Sequence, residues 1–551
     1  MIRNVGHVKG TSVDILLLLI SWIAIVAAMF LSRSLLPIDE TRYVSVAWEM
    51  WNSNHFLVPH LNGEAYSHKP PILFWLMHLG WFAFGVNEWW PRLLQAILSA
   101  VNLLLVGQLA KMLWPAEPRV AMGVMQIALS MLLWLTLSTM AMFDMLLTLS
   151  VLTGMISLIG LLRSQQWRFV AGLGVSIGFG LLTKGPVILL HLLPIALCLP
   201  WIERTKLEGS VRQWYARIAM GLVLGALIAL AWAIPAGISG GEAYRDAIFW
   251  GQTAGRVVDS FAHKQPWWWY FPMLLVVTFP WLFYPALWKK LLALRISQAD
   301  FGAKFCLVWI ILVLLLLSAV SGKQEKYILP LMPAFALLFG HLLVLYRGEL
   351  VASRRHVFLP TALFLALGLF LAVAPFLTIA RYQDWLALLS FWWGIGFVLL
   401  LGLLFWLHWR SLLSGIQYLV TVSIVAFVVV NIGIVKPIYY AYYDLHAFST
   451  LLKSLEDQGH PIANAGAYHG QYHFLGRLNH PIVVFDQGES WQQWSIDHPD
   501  GYVIIYYDEW DDQQLVKPVY FQRYRLDAVA LWSAKQLQEN IRSKWPFADS
   551  H

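Results

Sequence analysis

The feature that most constrains this chain is a series of long apolar runs between residues 13 and 435. A helix needs about 20 mostly apolar residues to cross a bilayer. Runs that meet or approach this length are 13–35, 93–113, 119–137, 145–162, 169–183, 186–202, 216–237, 269–288, 305–320, 327–346, 357–379, 386–409 and 414–435. Only 13% of the 551 residues are charged, against roughly 25% in soluble proteins. We therefore predict a mostly α-helical, polytopic membrane protein with about 13 transmembrane helices.

The distribution of Lys and Arg predicts which segments face the cytoplasm, because cytoplasmic loops are enriched in these residues. The basic turns fall inside if the N-terminus is cytoplasmic and 71–85 is an interfacial helix, too short to span. The segments predicted to lie outside are 36–92, 138–144, 184–185, 238–268, 321–326 and 436–551. Most of the unusual polar residues lie in these segments, so we expect the chemistry on the outer face.

Composition also excludes several classes of function. The net charge of +7 is what basic cytoplasmic loops produce, and it does not indicate nucleic-acid binding. Cys198 and Cys306 lie in apolar runs, so we expect buried thiols rather than a disulfide or a metal site. The chain has no HExxH, CxxC or GxSxG motif, and these motifs mark metalloproteases, redox centres and serine hydrolases.

The segment 437–551 differs from the rest in being rich in His, Asp, Gln and Tyr. PIVVFD (481–486) and YVIIYYD (502–508) predict strands, whereas ALWSAKQLQENIRSKW (530–545) predicts a helix. We predict a small C-terminal α/β domain over 437–551 and a transmembrane catalytic domain over 1–436. In the catalytic domain, loops 36–92 and 238–268 are expected to carry the site.

The first outer loop holds the densest group of charges. Asp39, Glu40 and Arg42 lie in PIDETRY, directly after the first apolar run. Because charges near hydrocarbon are costly, such a group indicates a functional site. Asp39 can act as a general base or bind a cation. It can equally cap the helix predicted from ETRYVSVAWEMW, and the two roles are compatible.

Later in the same loop, Lys69 precedes two prolines in YSHKPP. The prolines fix an extended backbone and aim the ammonium as an anion clamp, unless the side chain reaches to lipid headgroups. His68 taken alone is more often structural than a ligand. Asp144 lies at the outer end of two predicted spans, where it is either a site residue or a packed helix-end charge. Lys184 lies in the tight turn TKGP between two spans, which resembles a phosphate-binding loop only superficially because no GxxxxGK precedes it.

Two more outer segments carry basic residues. Arg256, in the long loop before WWWY, suits either a bidentate phosphate contact or a headgroup contact. The segment SGKQEKY contains Lys323 and Tyr327, and it either completes a phosphate pocket or anchors a helix.

Taken in order, these motifs resemble those of a known family. DETRY, Lys69-Pro70, Asp144, TKG, Arg256 and GK…YIL…P are similar to motifs of the bacterial GT-C glycosyltransferases. The likeness is greatest to the aminoarabinose lipid A transferases, which share their fold with protein O-mannosyltransferases. It runs from about residue 13 to residue 340, with a weaker echo in AYHGQYHFLGR.

The resemblance implies a GT-C fold and an inverting transferase that uses a polyprenyl (undecaprenyl) phosphate-linked sugar donor. The acceptor would be periplasmic: lipid A, lipopolysaccharide or another envelope glycan. The protein would lie in the bilayer of the bacterial inner membrane, with its active site and C-terminal domain in the periplasm. Neither a cofactor nor nucleic acid is implied.

The resemblance also implies a role for each matching residue. Asp39 would be the general base that activates the acceptor, and Lys69, Arg256 and Tyr327 would hold the donor phosphate. The residues that would line the substrate cavity are Glu40, Arg42, Tyr43, Tyr66, His68, Asp144, Lys184 and Lys323.

The chain departs from those transferases at two places. His68 stands where they have Glu, and WGQT offers Gln252 and Thr253 where they have His. Both differences remove groups that could bind a metal ion in the relatives, so metal binding and the identities of sugar and acceptor stay open. The alternatives are a protein O-mannosyltransferase-like enzyme and, in a different class, a transporter or flippase of lipid-linked sugars. Transporters place ionisable residues near the membrane midplane, often in related halves, and no repeat is visible here.

Overall fold

The computed structural model describes residues 3–251, 264–295, 298–345, 354–485, 491–507 and 517–541. The chain divides into two compact units. The helical unit comprises Met1–Leu31, Ser67–Leu73 and Trp89–Ile434, and the mixed unit comprises Ser32–Tyr66, Phe74–Glu88 and Val435–His551.

Within the described residues, the helical unit consists of helices with short 3₁₀ and π turns between some of them. Its helices are Arg3–Ser32, Trp89–Leu113, Pro118–Ser130, Leu132–Leu137, Asp144–Ser164, Trp167–Lys184, Val187–Ile202, Val211–Ser239, Gly241–Asp246, Tyr270–Val277, Pro285–Ala293, Phe301–Ala319, Met332–Leu345, Phe358–Val373, Gln383–Ala387, Phe391–Trp409 and Gly415–Val430. Its 3₁₀ turns are Arg204–Lys206, Trp281–Phe283, Glu325–Leu331, Arg354–Val357, Ala374–Phe376 and Ala380–Tyr382, with π turns at Ala247–Gly251 and Asn431–Val435.

Nine helical stretches within the described ranges are long and apolar enough to cross a membrane. They correspond to nine of the thirteen predicted runs. The other four runs form shorter or interrupted helices: 119–137 divides at Met131, 169–183 and 186–202 become Trp167–Lys184 and Val187–Ile202, and 269–288 becomes three short pieces. Prolines at 272, 280 and 285 account for the last case, because each removes a backbone donor.

Small residues allow two of these helices to pack closely. Trp167–Lys184 carries Gly174 and Gly178, and its neighbour Val211–Ser239 carries Gly221 and Gly225. A methyl group at Gly174 would lie 2.6 Å from a Leu224 side-chain carbon, and one at Gly225 would lie 2.6 Å from Ile177. Glycines four residues apart are a usual means of bringing helices together in lipid, where apolar packing alone gives little preference.

The mixed unit combines helices with two sheets. Its helices are Asp39–Asn52, Ile72–Phe84, Lys436–Tyr442, His446–Asp457, His473–Gly476, Trp491–Asp497 and Ala534–Ile541. Its strands are His60–Leu61, Glu64–Ala65, Ile462–Ala465, Val483–Phe485, Tyr502–Tyr507, Tyr520–Tyr524 and Asp527–Ser533. The predicted mostly α architecture with a small C-terminal α/β region is therefore confirmed.

The larger sheet has five strands and a buried core. Tyr502–Tyr507 lies at its centre, parallel to Ile462–Ala465 and antiparallel to Asp527–Ser533. Trp532 is fully buried and its indole N–H donates to the hydroxyl of Tyr507 at 2.9 Å. The strands predicted in 481–486 and 502–508 are present, but the helical prediction over 530–545 is wrong for its first four residues. They lie in Asp527–Ser533, where pairing on both edges overrides local helix propensity.

Candidate active site

Asp39 is the first residue of the helix Asp39–Asn52 and not its cap, so the predicted capping role is wrong. The capping position belongs to Ile38, whose side chain makes no capping hydrogen bond. The Asp39 carboxylate is 37% exposed and accepts a hydrogen bond from the Arg42 guanidinium at 2.9 Å. A carboxylate in the first turn is also favoured by the helix dipole. The helix therefore holds a solvent-accessible carboxylate beside a cation.

Glu40, the next residue, has a different environment. Its side chain is fully buried, forms an ion pair with Arg33 and accepts the backbone N–H of Leu36 at 2.8 Å. In this structure Glu40 stabilises the chain that leads into the helix, and it is not exposed as a cavity lining would be. Tyr43 and Tyr66 are also buried, with 6% and 7% of their surfaces exposed.

One neighbour of Asp39 was missed as a candidate. His469 lies close enough to Arg42, Asp39 and Arg525 for their charges to affect its pKa. Burial, followed by the positive charge of Arg42, lowers the pKa of His469, while Asp39 acts in the opposite direction. His469 is therefore a neutral imidazole, able to donate or accept a hydrogen bond near the proposed base. Its only sequence signal was the echo in AYHGQYHFLGR.

A pair of hydrogen bonds fixes His469 in this place. Ser45, on the Asp39–Asn52 helix, donates from its hydroxyl to the carbonyl of Gly470 at 2.6 Å. The same hydroxyl accepts the backbone N–H of Phe474 at 3.1 Å. Gly470 has a φ of +74°, which favours glycine, and a side chain there would also approach Leu61 to 2.5 Å.

The rest of the first outer loop is tied down at a hairpin. Asn62 and Gly63 have positive φ, which suits the tight turn between His60–Leu61 and Glu64–Ala65. The carboxylate of Glu49 accepts the backbone N–H groups of Asn62 at 2.6 Å and Gly63 at 3.0 Å. Burial raises the pKa of Glu49 although both of these hydrogen bonds oppose the rise.

In the helical unit, three of the predicted site residues come together. Nζ of Lys184 lies 2.6 Å from Oδ1 of Asp144 and 4.7 Å from the centre of the Tyr327 ring. Asp144 is 2% exposed and Lys184 is 12% exposed. A buried carboxylate needs a partner of opposite charge, and the ring face adds a cation–π contact. The cluster presents a cation and a phenol in one place.

The remaining candidates are Lys323, Lys69, His68 and Arg256. Lys323 is buried and donates to the carbonyls of Gln265 at 3.1 Å and Val320 at 2.5 Å, so it holds two loop segments together. Lys69 is partly buried and His68 is exposed. Arg256 lies outside the described residues, as do Gln252 and Thr253.

Within the described ranges, no three or more His, Cys, Asp or Glu side chains gather as a metal-binding group.

The chain shares the GT-C fold, with 95% of its length matched to a solved structure. The crystal structure of ArnT from Cupriavidus metallidurans bound to undecaprenyl phosphate superposes with a TM-score of 0.72, at 17% identity and over 98% of that chain. The apo structure of the same protein gives 0.73, at 16% identity, over 96% of this chain and 99% of that one.

The chain is also similar in sequence to curated bacterial transferases. The chain is 30% identical over 330 residues to undecaprenyl phosphate-alpha-4-amino-4-deoxy-L-arabinose arabinosyl transferase 2 of Pseudomonas fluorescens (strain Pf0-1). It is 31% identical over 328 residues to the corresponding transferase of Pseudomonas aeruginosa (strain LESB58). The matches cover 57% of this chain in both cases, and 58% and 57% of the relatives.

The family model of dolichyl-phosphate-mannose-protein mannosyltransferases matches residues 13–237. Together these matches confirm the resemblance that the motifs indicated. The matched region spans less than two thirds of the curated relatives' own lengths, and the family model covers the N-terminal part of the chain only.

Proposed function

We propose that this protein is an inverting glycosyltransferase of the bacterial inner membrane. It moves a sugar from an undecaprenyl phosphate donor to an acceptor at the periplasmic face, where lipid A, lipopolysaccharide or another envelope glycan is available. Two observations support the proposal: the fold shared with ArnT over almost the whole chain, and the sequence similarity to undecaprenyl phosphate-dependent arabinosyl transferases.

The observation that carries the proposal is the environment of Asp39. Asp39 is the first residue of a helix. Its carboxylate is 37% exposed and pairs with Arg42 at 2.9 Å. The adjacent Glu40 is instead fully buried. Of these two neighbouring acids, Asp39 is the one accessible for proton transfer, which a general base requires.

The reaction balances without a redox or nucleotide partner. An acceptor oxygen forms a bond to the anomeric carbon while the bond from that carbon to the donor phosphate breaks. Asp39 takes the acceptor proton, and the departing polyprenyl phosphate carries the electron pair of the broken bond. Cations and hydrogen-bond donors beside the leaving group stabilise its charge. The candidate cations are Lys69 and Arg256, and the candidate donor is the phenol of Tyr327. Lys184 beside the Tyr327 ring adds positive charge to that group.

A second candidate acceptor is favoured by one observation. The family model that matches residues 13–237 describes protein mannosyltransferases, so a protein hydroxyl is the alternative acceptor. A flippase for lipid-linked sugars is the alternative of a different class. It would move the donor across the bilayer and would leave the sugar–phosphate bond intact.

The experiment is a transfer assay with the full-length protein in proteoliposomes. Undecaprenyl phosphate carrying a labelled sugar is supplied with a total glycolipid extract or, separately, with envelope protein. The proposal predicts label in a glycolipid and release of free undecaprenyl phosphate. Label in protein would show that the acceptor is a protein. Movement of the intact donor across the bilayer, without release of undecaprenyl phosphate, would contradict the transferase.

A further inference from the structure

Four side chains from distant parts of the sequence form one hydrogen-bonded chain within the mixed unit. The hydroxyl of Ser34 donates to Oε2 of Glu88, and Oε1 of Glu88 lies 2.9 Å from Nε2 of His446. Nδ1 of the same ring contacts Oδ1 of Asp444, which also accepts the backbone N–H of His446 at 3.1 Å. We call these four residues the His446 network.

The geometry fixes the charge of the imidazole. Both ring nitrogens of His446 face carboxylate oxygens, and an ionised carboxylate can only accept hydrogen bonds. An imidazole donates from both nitrogens only when it is protonated. His446 is therefore a cation held between two anions, Glu88 and Asp444, each of them partly buried.

The charge of Glu88 is consistent with this assignment. Burial alone would raise the pKa of its carboxyl group, but the hydrogen bond and charge of His446 together with the Ser34 hydroxyl lower the pKa overall. Glu88 is therefore ionised at neutral pH, with one oxygen directed to His446 and the other to Ser34.

The network ends on the short segment that leads into Asp39. Two further anchors hold this segment at the next two residues. The hydroxyl of Tyr439 donates to the carbonyl of Leu35 at 3.0 Å, and the backbone N–H of Leu36 donates to Glu40 at 2.8 Å. Ser34, Leu35 and Leu36 are thus each fixed by a separate hydrogen bond, so the start of the Asp39–Asn52 helix has little freedom to move.

We propose that Glu88 and His446 are positioning residues, which hold Ser34 and thereby place Asp39 for proton transfer. The inference rests on the proposed function, because it takes Asp39 as the base. A base must lie within hydrogen-bond reach of the proton that it removes, and a displacement of about 1 Å can cost roughly 100-fold in rate. Neither positioning residue contacts substrate in this scheme; both act through Ser34.

The test measures kcat and the donor KM of the full-length protein for variants along the network. Ser34→Ala and His446→Gln are each expected to lower kcat by about 10- to 100-fold, with the donor KM unchanged. Ser34→Thr keeps the hydroxyl and should restore most of the rate. The double variant should be no slower than the slower single variant, because both changes break the same chain.

The matched control is another histidine–carboxylate pair of the mixed unit. His480 lies 3.2 Å from Glu456 and is 79% exposed, so His480→Gln should keep the wild-type kcat. If His446→Gln fails to fold, the comparison of Ser34→Ala with Ser34→Thr decides. Wild-type kcat in Ser34→Ala, or losses in the double variant that multiply, would overturn the inference. A wild-type protein without transferase activity would overturn the proposed function instead.

Discussion

Lys184 and Asp144 form an ion pair inside the helical unit, with 2.6 Å between Nζ and Oδ1 and with at most 12% of either side chain exposed. They come from helices whose other residues are almost all apolar. A charge in such surroundings is stabilised mainly by its partner, so the loss of either member leaves the other unpaired.

Variants of the Asp144–Lys184 pair can distinguish a structural role from a catalytic one. We expect Asp144→Leu alone to destabilise the protein by about 3–5 kcal/mol, because it leaves the Lys184 ammonium unpaired. The double variant Asp144→Leu/Lys184→Met removes both charges and should recover most of that stability. Unfolding of the detergent-solubilised protein, monitored by heat or denaturant, measures both.

The activity of the double variant tests whether the pair also has a catalytic role. If the Lys184 charge beside Tyr327 assists the donor phosphate, the double variant will be stable but slow. A stable double variant with wild-type transfer rates would show that the pair serves the fold alone.

The hairpin of the first outer loop offers a test of packing against the C-terminal part of the mixed unit. A methyl group at Gly63 would lie 2.7 Å from Cγ of Pro481, whereas one at Gly85 would have no heavy atom within 4 Å. Both glycines have positive φ, +80° and +73°. Gly85→Ala should therefore cost only the backbone strain, about 1 kcal/mol.

Gly63→Ala should cost more, by about 1–3 kcal/mol for the added overlap. The measurement is the difference in melting temperature between the two variants under identical conditions. Equal destabilisation would mean that the 62–63 turn does not pack closely on Pro481.

The pKa of the buried His473 leads to a prediction of how the stability of the protein depends on pH. His473 is 2% exposed, and burial lowers its pKa from 6.5 to about 4. Between these two values the unfolded chain binds a proton that the folded chain does not. The contribution of neutral His473 to the free energy of unfolding is therefore fully present above about pH 6.5. It is lost as the pH falls toward 4, by at most about 3 kcal/mol.

The check is the melting temperature from pH 7.5 to pH 4.5 for the wild type and for His473→Gln. The variant should show a shallower loss of stability on acidification, whereas His480→Gln, at a position 79% exposed, should follow the wild type. Parallel curves for His473→Gln and the wild type would contradict the prediction.

Most of the fold could be predicted because its signal is local. A run of about 20 apolar residues identifies a span wherever it occurs, and the β-branched and aromatic residues of YVIIYY identify a strand. The interruption at Met131 was not predictable in this way. There the backbone N–H of Leu132 donates to the carbonyl of Phe279 at 3.1 Å, a partner about 150 residues away. The strand at 527–533 likewise depends on neighbours on both of its edges.

The site was predicted less completely, because its geometry depends on contacts between residues that are distant in sequence. The DETRY motif identified the acidic helix start, but no pattern indicated that Arg33 would bury Glu40 while Asp39 stayed exposed. Glu88 and His446 stand 358 positions apart, and neither belongs to a recognisable motif. Residues that act by holding a loop are defined by the partners that the fold supplies, so sequence patterns alone do not reveal them.

The central claim is that Asp39 is the base of a sugar transferase, and a matched pair of variants tests it most directly. Asp39→Asn removes the carboxylate from an acid–arginine pair spaced three residues apart. Glu242→Gln does the same for the exposed pair of Glu242 with Arg245, which also has this spacing. Loss of a general base typically lowers the rate by about 100- to 10,000-fold.

The measurement is mass spectrometry of envelope glycolipids from a deletion strain that expresses the wild type or one of these variants at equal membrane levels. The account predicts a glycolipid lighter by one sugar in the deletion strain, restored by the wild type and by Glu242→Gln but not by Asp39→Asn. Full restoration by Asp39→Asn would contradict it.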